Sequence, residues 1–245
     1  TFNIWRGDKN SGEFIVYSVE IGEGMVVLDA LHKIQAEQAL NLAIRWNCKA
    51  GKCGSCSMEI NGHPKLACMT RMNELPKDKE ITVEPLKTFP LLKDLVTDVS
   101  WNYKQNKKIS PFNPGVKQEN EDRIMFQRDI ERIQEFRKCI ECYLCQDVCH
   151  IIRDHNQKDK FVGPRFMIRL ASLEMHPLDT EDRIPQIKDE FGSGMCNITR
   201  CCTDVCPENI QITDNGIIPI KERVVDRFYD PVLWIYNKLF GGNSK

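Results

Sequence analysis

The chain has 245 residues, of which 41% are hydrophobic and 28% are charged, and its formal net charge is −1. This length suits two domains of roughly 100–150 residues, and the balanced charge gives no long-range basic field that would attract nucleic acid. No apolar run approaches the roughly 18 residues of a membrane span, and the first ten residues have neither the basic start nor the apolar run of a signal peptide.

The N-terminal part is predicted to form a small α+β domain. Apolar residues alternate over 13–21 after Asn10-Ser11-Gly12, which indicates a strand that follows a hairpin turn. A helix is predicted from Val27, because apolar residues recur at helical spacing after it. Asn61-Gly62 joins two short strands as a hairpin, and residues 81–83 are predicted to form a further strand.

Residues 101–120 are polar and contain two prolines, so they are predicted to form a linker. A helical pattern follows, with apolar residues three or four apart from Phe126 to Phe136. Gly163-Pro164 precedes a predicted helix over 165–174. The sequence therefore predicts a mixed α+β half followed by a mostly helical half.

Twelve cysteines stand out, and without an export signal we expect a reducing compartment in which disulfides are rare. The first group has the C-x4-C-x2-C spacing, with a distant fourth cysteine, of plant-type [2Fe–2S] sites: Cys48, Cys53, Cys56 and Cys68. Gly51 and Gly54 would let the backbone approach a cluster closely. A four-cysteine zinc site is the alternative, but zinc ribbons favour two C-x2-C pairs and this group has one.

The second group has the run of bacterial ferredoxins, whose last cysteine serves the other cluster: Cys139, Cys142, Cys145 and Cys149. The third group is Cys196, Cys202 and Cys206, the last of them followed by proline. Because the two runs should exchange their last cysteines, a [4Fe–4S] site is predicted from Cys139, Cys142, Cys145 and Cys206. Cys149 is then left with Cys196 and Cys202.

This last set has three ligands, because Thr199 stands where a full ferredoxin run would place a cysteine. A hydroxyl is a poor ligand for a soft metal site, so a [3Fe–4S] cluster is predicted there. Cys201 is the alternative source of a fourth thiolate. Since adjacent side chains diverge, Cys201 and Cys202 are not both expected to reach one small cluster, and Cys201 is interpreted as a small structural residue.

The order of these groups resembles the iron–sulfur subunit of succinate dehydrogenase and fumarate reductase. The matching segments are CKAGKCGSCSMEINGHPKLAC at 48–68, RKCIECYLCQDVC at 137–149 and CCTDVCPENI at 201–210. The resemblance covers nearly the whole chain and implies an α+β fold. It implies an N-terminal β-grasp [2Fe–2S] ferredoxin domain over 1–104, a C-terminal α-helical ferredoxin domain over 105–245, and the same assignment of eleven cysteines to three clusters.

By the same resemblance, the chain would be the electron-transfer subunit of a succinate:quinone oxidoreductase, the respiratory complex II of the tricarboxylic acid cycle. Electrons would pass from FAD on a flavoprotein subunit through the [2Fe–2S], [4Fe–4S] and [3Fe–4S] clusters to quinone at membrane anchor subunits, with or without haem b. The chain itself offers no candidate for substrate catalysis. The resemblance implies a peripheral location on the cytoplasmic face of a prokaryotic cell membrane.

Two places depart from the family pattern. Many relatives have proline after the cysteine at position 149 and a quinone-binding tryptophan five residues after that cysteine; here these positions hold His150 and Asp154. Many also have histidine after the cysteine at position 196, where this chain has Asn197. The quinone-binding residues are therefore not carried over. One alternative is a related subunit with another partner, such as that of a quinol-linked fumarate reductase working in the opposite direction or of a soluble thiol-linked one. A zinc-stapled interaction scaffold is another.

The C-terminal stretch over 224–240 mixes aromatic and charged residues. It is predicted either to pack as an ordinary terminal helix or to dock on the membrane anchor. Its charges exclude a membrane span.

Overall fold

The computed structural model describes residues 1–76, 78–116 and 122–232, together with positions 235 and 239. Its strands are β1 (Phe2–Gly7), β2 (Gly12–Tyr17), β3 (Ser57–Ile60), β4 (His63–Leu66), β5 (Ile81–Glu84), β6 (Leu91–Lys93) and β7 (Val96–Thr97). Its helices are α1 (Val27–Glu37), α2 (Ser100–Lys108), α3 (Gln127–Gln134), α4 (Leu144–Asp147), α5 (His150–Arg153), α6 (Pro164–Glu174), α7 (Ile184–Asp189), α8 (Cys201–Asp204) and α9 (Ile218–Phe228). Short 3-10 turns lie at Met72–Glu74, Glu135–Lys138 and Ser193–Met195, and a π-helical turn lies at Ile212–Ile217.

Strands β1 to β5 form one mixed sheet in the order β2-β1-β5-β3-β4. β1 and β5 run parallel, and the other pairs run antiparallel. Phe2 and Ile4 alternate along β1 and are fully buried, and α1 packs Leu28, Leu31 and Ile34 into the same core. A mixed sheet covered by one helix is the β-grasp arrangement, so the predicted α+β class of this half is confirmed.

Two strand predictions in this sheet have different outcomes. The Asn61-Gly62 hairpin is confirmed, because β3 and β4 pair antiparallel with Ile60 opposite His63. β2 is shorter than predicted and ends at Tyr17 rather than near residue 21. Tyr17 pairs with Phe2, where β1 begins, so the residues after Tyr17 lie beyond the end of their partner strand.

The prediction of a linker over 101–120 is wrong for its first part, because helix α2 occupies Ser100–Lys108. The segment has no apolar periodicity, because the helix is held partly by polar contacts. Asn102 is fully buried, and its Oδ1 accepts a hydrogen bond from Gln146 Nε2 at 3.4 Å. Trp101 packs against the cores of both halves of the chain. The segment therefore joins the two halves as a packed element.

The second half is mostly helical, as predicted, and its helices surround a second core. Helix α6 begins at Pro164, directly after Gly163, and its predicted position is confirmed. Arg183 is 1% exposed, and its guanidinium ties the chain before α3 to this core. It donates from Nε to the carbonyl of Ser110 at 3.0 Å and from NH2 to the carbonyl of Pro111 at 2.6 Å.

The predicted C-terminal stretch over 224–240 is described only in part. α9 covers its start and buries Val224, while Val225 and Phe228 are exposed. Positions 233, 234, 236–238 and 240 lie outside the described residues. The packed part agrees with an ordinary terminal helix, and docking on an anchor stays a prediction.

Candidate iron–sulfur sites

The first cysteine group lies on the loop between α1 and β3 and on the turn after β4. Cys48 is exposed, Cys53 is half-buried, and Cys56 and Cys68 are buried. Three loop residues have a left-handed backbone: Lys49 (φ 56°), Gly51 (φ 66°) and Gly54 (φ 67°). Such alternation turns successive N–H groups toward one side, where they favour a negatively charged group.

Backbone N–H groups of this loop point at cysteine sulfurs. Ala50 and Lys52 donate to Cys48 Sγ at 3.4 and 3.3 Å. Gly51 donates to Cys68 Sγ at 3.3 Å, although the two residues are 17 positions apart. Hydrogen bonds to the sulfurs stabilise thiolates and are one of the means by which proteins set the potential of a cluster. The loop therefore donates hydrogen bonds to the sulfurs of both the first and the last cysteine of the group.

Burial and hydrogen bonding have different outcomes at two of these thiols. Burial raises the pKa of Cys56 to about 12. At Cys53 burial also acts upward, but hydrogen bonds from Ser55 and Cys48 bring the pKa down to about 7. A buried thiol such as that of Cys56 becomes a thiolate when a metal cation binds it. The donor chemistry of the group fits a cluster.

The second and third groups are built on the same backbone turn. In each run, the second and fourth residues after the first cysteine have positive φ, and a four-residue helix follows. The matching pairs are Glu141 (56°) and Tyr143 (62°) in one run, and Ile198 (62°) and Arg200 (67°) in the other. Non-glycine residues seldom adopt this conformation, so four occurrences at matching positions mark a repeated structure.

This repeat shows what Thr199 and Cys201 correspond to. Thr199 occupies the position of Cys142, three residues after the first cysteine of its run. Cys201 occupies the position of Leu144, a buried apolar residue. Cys201 is half-buried, with its Sγ 3.3 Å from Thr199 Oγ1. Cys201 thus has the backbone position of a non-ligand, and its interpretation as a structural residue stays a prediction.

The structure brings Cys206 to the second group. One cavity is lined by Cys139, Cys142, Cys145 and Cys206. Burial chiefly raises the pKa of the first three thiols, and the nearby Cys206 raises each of them further. The predicted crossing of Cys206 thus has a geometric basis. The assignment of these four residues to a [4Fe–4S] cluster stays a prediction.

Cys149, Cys196 and Cys202 come together in the third set. Burial raises the pKa of Cys202 to about 12, and the nearby Cys201, Cys196 and Cys149 add to the shift. Burial likewise raises the pKa of Cys149 to about 11, with contributions from Cys201 and Cys196. The predicted set is therefore close together, and its identity as the holder of a [3Fe–4S] cluster stays a prediction.

Zinc and clusters place different demands on the cysteine side chains. In the described part of the chain, no group of three His, Cys, Asp or Glu side chains is placed to hold one metal ion. Structural zinc needs four ligand atoms at about 2.0–2.3 Å from one point, whereas a cluster distributes its cysteines over several irons. Metal analysis separates the zinc-stapled alternative from clusters.

The first and second groups touch directly. A Cβ on Gly54 would lie 2.5 Å from the Cα of Cys142, so these two loops are in backbone contact. Ser57 Oγ lies 2.8 Å from the carbonyl oxygens of both Gly54 and Cys142. Lys52 pairs with Glu208 at 3.2 Å, close to Cys206. The loop of the first site is therefore fixed against the loops of the second.

Three polar residues at the sites or at the contact between the two halves were not found from the sequence: Ser57, Glu59 and Arg165. Ser57 bridges the two loops, Glu59 is buried between the two halves, and Arg165 lines the cavity of the second group. Spacing gives no signal for the first two. Arg165 was detectable as a charged residue near the start of PRFMIRLASLE, a largely apolar helix.

Two family models match the chain. Residues 1–104 match a 2Fe-2S iron-sulfur cluster binding domain, and residues 135–210 match a 4Fe-4S dicluster domain. Together with the fold and the cysteine sets, these matches define an iron–sulfur electron-transfer protein with two cluster-binding regions.

The chain is 31% identical to the succinate dehydrogenase iron–sulfur subunit of Paracoccus denitrificans, over 92% of this chain and 88% of that protein. A chain of the Mycobacterium smegmatis Sdh1 complex in the apo form is 59% identical, with a TM-score of 0.91 over 94% of this chain and 97% of that chain. The protein belongs to the family of succinate dehydrogenase iron–sulfur subunits. The resemblance inferred from the cysteine segments is confirmed.

Two further relatives are longer than this chain. An uncharacterized iron–sulfur protein of Methanococcus maripaludis is 31% identical over 86% of this chain, and one of Methanocaldococcus jannaschii is 30% identical over 94%. The chain spans 42% and 44% of these two proteins. Among the helices that the structure describes, none is long and apolar enough to cross a membrane.

Proposed function

We propose that this chain carries electrons singly from FAD on a flavoprotein subunit to quinone at a membrane anchor, as part of a succinate:quinone oxidoreductase. When bound, its [2Fe–2S], [4Fe–4S] and [3Fe–4S] clusters would supply one-electron chemistry at graded potentials. The observation that carries the proposal is the adjacency of the three cysteine sets. The first contacts the second through Gly54 and Cys142. The second and third exchange a cysteine, since Cys206 lines the cavity of the second set and Cys149 lies near Cys196 and Cys202.

Eleven cysteines are proposed as the ligands. The first set would hold [2Fe–2S]: Cys48, Cys53, Cys56 and Cys68. The second would hold [4Fe–4S]: Cys139, Cys142, Cys145 and Cys206. The third would hold [3Fe–4S]: Cys149, Cys196 and Cys202. We also propose the domain boundary between residues 104 and 105, within α2, which packs on both cores through Trp101.

The proposed partners are an FAD-containing flavoprotein and membrane anchor subunits, with or without haem b. Cys48 is exposed, which supports electron entry from a partner at the first site. Met195 and Ile198, beside the third set, are 37% and 40% exposed, and apolar surface of this kind supports docking of an anchor there. The name of the Paracoccus relative supports succinate oxidation as the direction. The proposed location is the cytoplasmic face of a prokaryotic membrane.

Replacing Thr199 with cysteine is expected to complete the third set. Because Thr199 has the backbone position of Cys142 in the repeated turn, the new thiol would face the same cluster as Cys202. Iron should rise from about nine to about ten atoms per chain, and the EPR signal of an oxidised [3Fe–4S] cluster should disappear. Iron analysis and EPR of the purified complex measure both changes.

The matched variant is Cys201→Ala, which removes the twelfth cysteine and leaves the proposed ligands intact. It is expected to retain the iron content and the [3Fe–4S] signal. Loss of the third cluster from Cys201→Ala would contradict the ligand assignment. A Thr199→Cys protein that keeps the [3Fe–4S] signal at full intensity would contradict it as well.

The function itself is tested by isolating the native complex through a tag on this chain. We expect a flavoprotein and membrane subunits to co-purify, and the complex to reduce a quinone analogue with electrons from succinate. The isolated chain should be brown and inactive toward succinate. Succinate oxidation by the isolated chain, or a purified complex without a flavoprotein, would overturn the proposal.

A further inference from the structure

Arg165 is a buried cation at the second cysteine set. It lies in the first turn of α6, its side chain is 7% exposed, and it lines the same cavity as Cys139, Cys142, Cys145 and Cys206. Arginine is seldom this buried unless it is paired with an anion, because removal of its charge from water is unfavourable. Its location therefore points to a negative group inside the cavity.

The described partners of Arg165 leave one N–H group of its guanidinium without a hydrogen bond. NH2 lies 2.5 Å from Glu141 Oε1, and the backbone N–H of Arg165 donates to Gln146 Oε1 at 3.3 Å. Nε is buried and has no hydrogen-bond partner among the described residues. Glu141 is 48% exposed, so water weakens its compensation of the buried charge. One N–H donor and much of the positive charge remain for another acceptor.

The negative group is supplied by the second set when a cluster is bound. The cavity that Arg165 lines is lined by all four cysteines of this set. Cysteines bind iron as thiolates, so a bound cluster with its four ligands would carry negative charge. Arg165 is the buried cation beside that charge, and its Nε has no other partner among the described residues.

We propose that Arg165 sets the reduction potential of the cluster held by Cys139, Cys142, Cys145 and Cys206, and raises it by favouring the reduced form. This inference rests on the proposed function. One-electron reduction adds one negative charge to the cluster, and the electron comes from the neighbouring [2Fe–2S] site without a proton. A fixed buried cation with a free N–H donor stabilises that added charge more than it stabilises the oxidised form.

The proposal is tested by EPR-monitored redox titration of the intact complex. In Arg165→Gln, the ratio of oxidised to reduced [4Fe–4S] cluster at a given potential should increase at least tenfold. This corresponds to a downward shift of the midpoint potential by about 59 mV or more for one electron. The [2Fe–2S] and [3Fe–4S] midpoints should move much less.

Two further variants separate charge from shape. Arg165→Lys keeps the positive charge, so its [4Fe–4S] midpoint should stay close to that of the wild type. Glu141→Gln removes the opposing anion and should move the midpoint upward.

The matched control is Arg169→Gln, which makes the same charge change on an exposed position of the same helix. It should leave all three midpoints unchanged. An unaltered [4Fe–4S] midpoint in Arg165→Gln, with the cluster present by iron count, would overturn the inference. If Arg165→Gln loses the cluster, an unchanged or lowered [4Fe–4S] midpoint in Glu141→Gln would overturn it. Absence of a [4Fe–4S] cluster from the wild-type protein would instead refute the proposed function.

Discussion

Replacing Gly54 with alanine is expected to separate the first and second cluster sites. The new Cβ would lie 2.5 Å from the Cα and 2.9 Å from the backbone N of Cys142, so a flexible side chain cannot relieve the contact. A left-handed φ costs alanine about 1 kcal/mol, and overpacking of this kind costs about 1–3 kcal/mol more. We expect lower thermal stability and a weaker EPR magnetic interaction between the reduced [2Fe–2S] cluster and its neighbour.

Gly62→Ala is the matched control for this variant. Gly62 has φ +74°, close to the +67° of Gly54, but a Cβ there would meet nothing within 4 Å. Gly62→Ala should therefore show the backbone strain alone and leave the interaction between clusters unchanged. Equal losses of stability in both variants, with no change in magnetic interaction for Gly54→Ala, would show that the contact with Cys142 does not hold the sites together.

Arg153→Met is expected to cause the largest loss of stability. Two fully buried carboxylates, Glu59 on β3 and Asp147 on α4, meet between the two halves of the chain. Arg153 NH1 lies 2.9 Å from Glu59 Oε1 and 4.0 Å from Asp147 Oδ2, while Lys87 pairs with Glu59 at 3.0 Å. Removing one partner from a buried ion pair costs about 3–5 kcal/mol. In a chain of this size, this is a fall in Tm on the order of 10 °C.

This loss should depend on pH. Burial and the nearby Glu59 raise the pKa of Asp147 to about 7, against the effects of the Thr88 N–H and Arg153. The folded protein therefore holds a proton that the unfolded chain releases near pH 4. The stability from that proton is fully present below the unfolded pKa and is lost as the pH rises through about 7. Arg153→Met should raise this pKa further, so the deficit should be larger at pH 8 than at pH 6.

Thermal bleaching of the visible absorption of the clusters at pH 6 and pH 8 measures both effects. Arg128→Met is the control, because the Arg128 side chain is 81% exposed and lies 3.8 Å from Asp129. It should change the free energy of unfolding by less than about 0.5 kcal/mol. If Arg153→Met were as stable as Arg128→Met at pH 8, the buried carboxylates would not depend on Arg153.

The elements that periodicity marks clearly were predictable, and those held by polar contacts were not. The 61–62 hairpin and α6 follow from turn residues and apolar spacing, so their positions were found. Helix α2 was missed because its main buried residue is Asn102, which no hydrophobic pattern reveals. Glu59 was missed for the same reason, since a charged residue in a short strand is expected to face water.

The cysteine sets were predictable because cluster chemistry constrains residues that are close in sequence. Spacing alone gave the three groups, and the ferredoxin rule gave the exchange of Cys149 and Cys206. Contacts between groups depend on how the two halves dock, and no local pattern encodes them. The approach of Gly54 to Cys142 and the burial of Arg165 beside the second set are of this kind.

The claim that eleven cysteines hold three different clusters is tested most directly by metal and sulfide analysis of the native complex, combined with EPR. About nine iron atoms per copy of this chain are predicted, with a [3Fe–4S] signal in the oxidised protein and a [2Fe–2S] signal on reduction. A zinc-containing protein without iron would contradict the account. So would about ten iron atoms with no [3Fe–4S] signal, because Cys201 would then complete the third site.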